Sequence, residues 1–379
     1  MSDILNLKPE AFGLDISDFS LKIVKLKKKK KFLSLSSFGE KEIKPGIISE
    51  GEIKDGKALS GIIKDALRGI SGSKLGTKYV IVSLPEEKSF LQVIQLPKMK
   101  EEEIGKAVYF EAENYVPMPI DQVYLDYQIV PALRNHLDHL DVLIAALPKK
   151  TVDPYLGCLK SAGLKPLVFE IESQAIARSL VDKELTASPV LIIDFGATRT
   201  SFIIFSGYSL KFTSSLPISS KGLTEAISRN LKMDMEKAED LKIKYGLEDK
   251  IKLKAGGGKE ASKERSEVFE SLIPSLTDLI EQIKKYLDYY QTHSLHDHMP
   301  PNNRGVSKIL LSGGGSNLKG LADFLSLELK LPVELANPWI NILPKPLKEV
   351  PGLPFDKSLG FATALGLALR GINYKKIDD

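Results

Sequence analysis

The chain has 379 residues, 43% of them hydrophobic and 27% charged, with a formal net charge of +4; these are ordinary values for a globular protein of two or three domains. So small a basic excess excludes a chain built to coat nucleic acid, and the single cysteine, Cys158, excludes both an internal disulfide framework and a cysteine zinc site. Met1 to Phe12 lacks the apolar core of a signal peptide, and no run approaches the roughly 18 apolar residues of a spanning helix, so a cytoplasmic setting with membrane contact only through partners is expected.

In chain order, Phe12 to Leu26 reads as an apolar strand entering Asp15, a turn rich in Ser17, Asp18 and Ser20, and a second strand. Lys27 to Lys31 is expected to be a solvated hairpin turn before a strand from Phe32 to Phe38. Asp55 to Ile70 carries Leu59, Ile62, Ile63, Ala66, Leu67 and Ile70 at helical spacing, and Tyr79 to Leu84 reads as a buried strand ended by Pro85. From Glu86 to Leu164 the order is strand, helix, strand, strand, helix, with the last helix predicted to start at Asp153 and Pro154. That order predicts a small α+β domain inserted into a larger one.

A strand from Pro166 to Ile171 and a helix from Glu172 to Val181 follow. Leu191 to Phe205 then repeats the opening motif: apolar strand, Asp194, a turn with glycine and hydroxyls, apolar strand. Helices are expected over Leu223 to Leu231, Met235 to Tyr245 and Ser266 to Gln291, the last with a kink at Pro274. Between them Asp249 to Ser262 reads as a mobile glycine-rich loop. A strand at Val306 to Leu311, a Gly313-Gly314-Gly315 turn and a helix from Leu318 to Leu329 come next. The tail from Lys357 to Ile372 is a predicted helix with small residues for close packing.

A carboxylate at a strand end, followed by a turn of outward backbone N–H groups, suits phosphate and its Mg2+. Asp15 and Asp194 are the two candidates, holding the metal through water because Mg2+ dehydrates reluctantly. The alternative for each turn alone is a capped hairpin. Lys22 reaches a phosphate or faces solvent. Gly313, Gly314, Gly315 and Ser316 allow close approach to a flat ligand, and match neither the Rossmann nor the P-loop spacing. Glu239 and Lys242 share a helix face and suit either ribose and base or a surface ion pair. His136, His139, His293, His296 and His298 sit in polar loops without zinc-site presentation, and Cys158 reads as core.

Together these motifs resemble the actin-like ATPase superfamily, with phosphate-1 at Asp15 to Lys22, connect-1 at Glu172 to Val181, phosphate-2 at Asp194 to Thr200, an adenosine motif at Leu311 to Ser316 and connect-2 at Phe361 to Arg370. The inserted α+β segment is similar to that of the FtsA/PilM branch. The opening Gly13 to Leu26, Glu113 to Pro119 leading to Leu125 to Gln128, and the closing Gly366 to Arg370 are similar to the PilM family. The resemblance implies an α/β, actin-like (ribonuclease H-like) two-lobed fold with an inserted SHS2-like 1C subdomain. Its implied boundaries are 1–85, 165–188 and 357–379 for the first lobe (IA), 86–164 for 1C, and 189–356 for the second lobe (IIA/IIB).

The resemblance also implies ATP with Mg2+. Ser17, Asp18, Phe19, Ser20 and Lys22 would face phosphates; Gly196, Ala197, Thr198 and Thr200 would form the opposite clamp. Gly222, Glu239, Lys242 and Gly313 to Ser316 would hold the nucleoside, and Glu172 would position water. The family's phosphate-1 loop usually has Gly-Ser where Ser17-Asp18 stands here; a Cβ at Ser17 narrows backbone approach and Asp18 sets negative charge against phosphate, which predicts weakened nucleotide binding and slow or absent turnover. The implied partners are the N-terminal peptide of the inner-membrane protein PilN, held in a groove formed by the inserted domain and the first lobe, the pilus alignment complex and motor, and further copies in a ring at the inner face of the membrane, with no nucleic acid. Three other readings stand beside this one: an FtsA-like filament former, a GspL-like secretion adaptor and a metabolite kinase.

Overall fold

Strand β1 (Ala11–Ile16) is buried throughout and forms the axis of a six-stranded sheet. It turns at Ser17 to Phe19 into β2 (Ser20–Lys29), which pairs antiparallel with β3 (Phe32–Glu42). Lys27, Lys28 and Lys29 continue β2 opposite Ser34, Leu33 and Phe32, so three of the five lysines extend the strand instead of forming a turn; their side chains are exposed while the backbone bonds are satisfied by the ladder. After the short β4 (Ile48–Ser49) and β5 (Glu52–Ile53), helix α1 (Gly56–Arg68) is capped by Asp55, whose side chain accepts from the Ala58 amide. It buries Leu59, Ile63 and Ala66. β6 (Ser71–Gly72) closes one edge, and β7 (Tyr79–Leu84) runs parallel to β1.

The inserted segment starts at β8 (Phe90–Pro97), followed by α2 (Glu101–Ala112), β9 (Val123–Val130), β10 (His139–Pro148) and α3 (Lys149–Ser161). Its sheet has the order β8-β10-β9, and α2 covers one face through Ile104, Val108 and Ala112. Helix α3 begins at Lys149, four residues before the expected Asp153 cap, and contains Pro154. The proline is tolerated because the carbonyl it leaves without a helical partner, that of Lys150, lies in the first turn. β11 (Lys165–Ile171) and α4 (Glu172–Leu180) complete this part of the chain.

The second unit holds β12 (Thr186–Phe195), β13 (Thr200–Gly207), all but the first two residues of β14 (Ser209–Leu216), α5 (Ser220–Leu231), α6 (Met235–Tyr245), α7 (Lys259–His293), β15 (Lys308–Ser312), α8 (Leu321–Leu329) and β16 (Val333–Leu335). The chain then returns to the first unit with α9 (Phe355–Leu359) and α10 (Ala362–Asn373). The structure describes residues 9–29, 32–132, 138–247, 259–293, 305–348 and 350–373. Most of the expected glycine-rich loop, and His136, His296 and His298, lie outside these residues.

Packing divides the chain into residues 1–185, 208–210 and 337–379, and residues 186–207 and 211–336. Residues 337–356, expected with the second lobe, therefore sit with the first: Trp339, Ile342 and Leu353 share a core with Val24, Leu26 and Leu365. The single expected tail helix is two, because the chain turns at Gly360 and Phe361.

The two large sheets repeat one plan. In the first, the order β3-β2-β1-β7-β11 has β2 antiparallel and β7 parallel to β1. In the second, β14-β13-β12-β15-β16 has β13 antiparallel and β15 parallel to β12. This is the ribonuclease H-like order, present once in each unit. Asp15 is the penultimate residue of β1 and Asp194 that of β12, so each carboxylate occupies the same place in its own sheet.

Glycines set how closely α10 approaches. A Cβ on Gly13 would lie 2.4 Å from the Ala364 carbonyl oxygen, and one on Gly366 would lie 1.8 Å from that of Ala175. Helix α10 thereby rests on β1 and α4 at backbone distance. Cys158 is buried in the first core, its thiol facing the Gly56 carbonyl at 3.4 Å.

Candidate functional site

The first unit brings Asp15, the Ser17–Lys22 turn and Glu172 into one electrostatic neighbourhood. Asp15 is only 6% exposed and accepts a 2.8 Å hydrogen bond from the Ser83 hydroxyl. Burial pushes its carboxyl above the usual aspartate range, with Lys22 and Ser83 opposing the shift. Tyr155 is buried nearby and donates to the Gly51 carbonyl at 3.1 Å. Burial raises its phenol, and the charges of Glu172, Asp18, Glu87 and Asp15 raise it further. These carboxylates give the region a negative potential that suits a hydrated cation. Among the described residues no three His, Cys, Asp or Glu side chains converge as a direct metal cage.

The turn is closed from within. The Ser17 amide donates to the Ser20 carbonyl at 2.9 Å, the two hydroxyls lie 3.1 Å apart, and Lys22 Nζ donates to Ser20 Oγ at 2.9 Å. Asp18 points elsewhere. Its carboxylate accepts from the Glu50 amide at 3.0 Å and the Gly51 amide at 3.1 Å, clamping the β4–β5 turn. The carboxylate expected to stand against a phosphate is thus held by two backbone donors. Phe19 contributes its carbonyl to the Ile43 amide. Glu172 opens α4, and the next amide, that of Ser173, donates to Glu86.

In the second unit the Asp194 turn and the glycine turn meet. Gly196 donates its amide to the Arg199 carbonyl at 2.9 Å, and the carbonyls of Gly196 and Ala197 accept from Ser220 and Lys221 at the start of α5. The Thr200 hydroxyl donates to the Ile218 carbonyl at 2.7 Å; Ala197 is the exposed residue of the turn and Thr198 is half-buried. Gly313 has φ +83°, and a Cβ there would lie 2.5 Å from the Phe195 carbonyl oxygen; one on Gly315 would meet the same atom at 2.8 Å. Nothing lies within 4 Å of the corresponding position on Gly314. The outer glycines thus pack on the residue beside Asp194, and the middle one keeps its face open. Ser316 donates back to the Ser312 carbonyl.

Lys242 is buried and its protons are engaged by the Ser220 carbonyl at 3.0 Å, Thr224 Oγ1 at 2.7 Å and Glu239 at 2.7 Å. Burial lowers its pKa, with Glu239 acting against that shift. Glu239 remains 45% exposed at the side chain, so of this pair the carboxylate is the more accessible group. Gly222 lies in the first turn of α5, its amide donating to the Ser219 cap at 3.1 Å.

The implied groove between the inserted domain and the first lobe has residues that the sequence alone does not name. A groove of about 790 Å³ lies in the first unit between the inserted sheet and β11. Glu170 at its wall is almost fully buried and receives two 2.6 Å hydrogen bonds from Arg178 and one of 2.7 Å from Arg370. Burial alone would raise the Glu170 carboxyl; the two guanidiniums outweigh it and hold it below the usual range. A lone glutamate inside the apolar run Pro166 to Ile171 was the available signal, since a buried carboxylate requires partners.

Known proteins support this architecture. A cell division protein FtsA of Pseudomonas aeruginosa is 24% identical over 224 residues, 57% of this chain and 50% of that protein; the chain spans about half the length of the curated relatives it matches first. MreB5 of Spiroplasma citri, solved with AMPPNP, has a TM-score of 0.52 at 13% identity over 96% of both chains, a likeness of actin-like fold alone. A solved PilM–PilN type IV pilus biogenesis complex matches with a TM-score of 0.75 and 29% identity, over 96% of this chain and 99% of that one. The family model for type IV pilus assembly protein PilM matches residues 13–372. With the fold, both Asp turns and nearly the whole length accounted for, the chain belongs to the PilM family of type IV pilus assembly proteins.

Proposed function

We propose that this protein is a nucleotide-binding scaffold of the type IV pilus machinery that takes the N-terminal peptide of a PilN-type membrane protein. The observation that carries the peptide half is the groove beside β9 and β11, together with the likeness to a protein solved as a PilM–PilN complex. The groove combines an apolar bed, including Leu143, Leu147 and Phe169, with a charged rim of Asp126, Arg178 and Arg370. Such a surface suits a short extended segment with alternating apolar residues. As a cytoplasmic protein it would reach the inner face of the membrane through that peptide; among the described residues no helix is long and apolar enough to cross a bilayer. Contacts with the alignment complex, the motor and further copies belong to the same proposal.

ATP with Mg2+ is the ligand proposed for both Asp turns. Asp15 and Asp194 would hold the metal through water; Ser17 to Lys22 and Gly196 to Thr200 would meet phosphates; Gly222, Glu239, Lys242 and Gly313 to Ser316 would form the nucleoside pocket. The metal would supply charge neutralisation at the phosphates. The residues fit this ligand at two points: the open face of Gly314 and the acidic surroundings of Asp15. Glu172 is the residue proposed to orient water, with slow or absent hydrolysis. The boundaries proposed for the family's subdomains are IA, 1C at 86–164, and IIA/IIB, with 337–356 now moved to the first unit. Calorimetric titration with Mg-ATP and with a synthetic PilN N-terminal peptide tests both halves. Micromolar peptide binding that is lost in Leu143→Arg is expected; intact peptide affinity in that variant would remove the groove from the proposal.

A further inference from the structure

The groove is bounded by two unpaired sheet edges. Among the described residues, β9 of the inserted sheet pairs only with β10, and β11 of the large sheet pairs only with β7. Side chains of a strand alternate between faces, so a sheet face gives a cavity every second residue. β10 does this with Leu143, Ala145 and Leu147. β9 instead lines the groove with five successive residues, Tyr124 to Gln128. Successive residues of both parities line one cavity only where the strand turns its backbone edge toward it.

The hydrogen bonding of β9 identifies the outward groups. The Tyr127 amide donates to the Asp126 carboxylate at 2.9 Å, so it points away from β10. The two-residue period puts the amides of Leu125 and Ile129 on the same edge. Tyr124, Tyr127 and Ile129 are 47%, 39% and 39% exposed, an apolar free edge of the kind folded domains usually cover. β11 is the poorer template. Pro166 has no amide, the pairing with β7 shifts between Pro166 and Val168, and the Glu170 side chain is closed by its two arginines.

We propose that the peptide is bound by strand addition to β9, pairing with the outward groups of Leu125, Tyr127 and Ile129. Asp126 is a latch: its carboxylate caps the Tyr127 amide when the groove is empty and is displaced when the peptide pairs. This inference rests on the peptide reading of the groove and specifies its mechanism. Main-chain pairing supplies affinity, and every second peptide side chain faces the apolar bed. The partner segment is therefore extended, apolar at alternate positions, and without proline where it donates to β9.

The test uses the full chain and the synthetic PilN N-terminal peptide, N-methylated at one residue at a time and titrated by calorimetry. Strand addition predicts losses of about tenfold or more at every second residue and less than about twofold between them. It also predicts slowed hydrogen exchange at the Leu125, Tyr127 and Ile129 amides. An unmodified peptide that binds while all methylated forms bind equally overturns strand addition and leaves a side-chain groove. An unmodified peptide that does not bind overturns the peptide reading itself. Asp126→Ala should tighten binding by about threefold, because no carboxylate has to be displaced; a weaker complex would show that Asp126 holds the peptide and would remove the latch.

Discussion

At the scale of single residues, Asp18 and Gly313 show how an environment decides what a motif letter means. Asp18 reads in the sequence as a charge set against phosphate, yet its oxygens are occupied by the Glu50 and Gly51 amides. Asp18→Ala should therefore cost about 1–3 kcal/mol of stability, the usual range for losing hydrogen bonds to a charged group, and should leave nucleotide affinity unimproved. Thermal denaturation and ATP titration of this variant check both; tighter ATP binding with unchanged stability would restore the repulsion account. Gly313 is legible as a glycine but its reason is not: only the structure shows φ +83° and the Phe195 carbonyl where a Cβ would stand. Gly313→Ala should destabilise by roughly 1–3 kcal/mol and lower ATP affinity. Asp15 carries a pH signature. Its folded pKa is raised, so the native state holds this proton more tightly than the unfolded chain, and its contribution falls as pH rises through the folded value. Asp15→Asn should thus melt no lower than the parent at neutral pH without ligand, while losing the stabilisation that Mg-ATP confers.

At the scale of elements, the buried Glu170 joins β11 to α4 through Arg178 and to α10 through Arg370. Glu170→Ala leaves a nearly buried guanidinium without its partner and should cost about 3–5 kcal/mol. Arg370→Ala, at a 36% exposed side chain, should cost less than half of that because Arg178 still compensates the carboxylate. The depressed pKa sets the sign with pH: the stabilisation is complete above the unfolded glutamate value, about 4.3, and is lost as pH falls through the lower folded value. Acid titration of stability should show this component in the parent and lack it in Glu170→Gln. Element identity was largely legible, because period-2 and period-3.6 patterns mark burial directly. Ends were not. The start of α3 was hidden because Asp153-Pro154 imitates a cap, while Asp153 in fact accepts from the Tyr124 hydroxyl at 2.9 Å. The lysine run imitates a turn because charge density, not backbone pairing, dominates its composition.

At the scale of the molecule, the repeated strand–Asp–turn–strand motif pointed to two lobes and the resemblance supplied their fold; the register carries the repeat, with Asp15 opposite Lys22 and Asp194 opposite Ser201. The placement of 337–356 was not legible, since Trp339 and Leu353 are apolar residues whose choice of core depends on contacts far away in sequence. The residues that line the groove were also hidden, being drawn from positions between Leu84 and Asn373. The account's central claim is that one chain binds both Mg-ATP and a PilN-type peptide. Calorimetry of the purified protein with each ligand, alone and together, tests it most directly. The account predicts saturable binding of both, with Asp15→Asn abolishing the nucleotide and sparing the peptide, and Leu143→Arg doing the reverse. Failure of the peptide to bind under any nucleotide condition would contradict it.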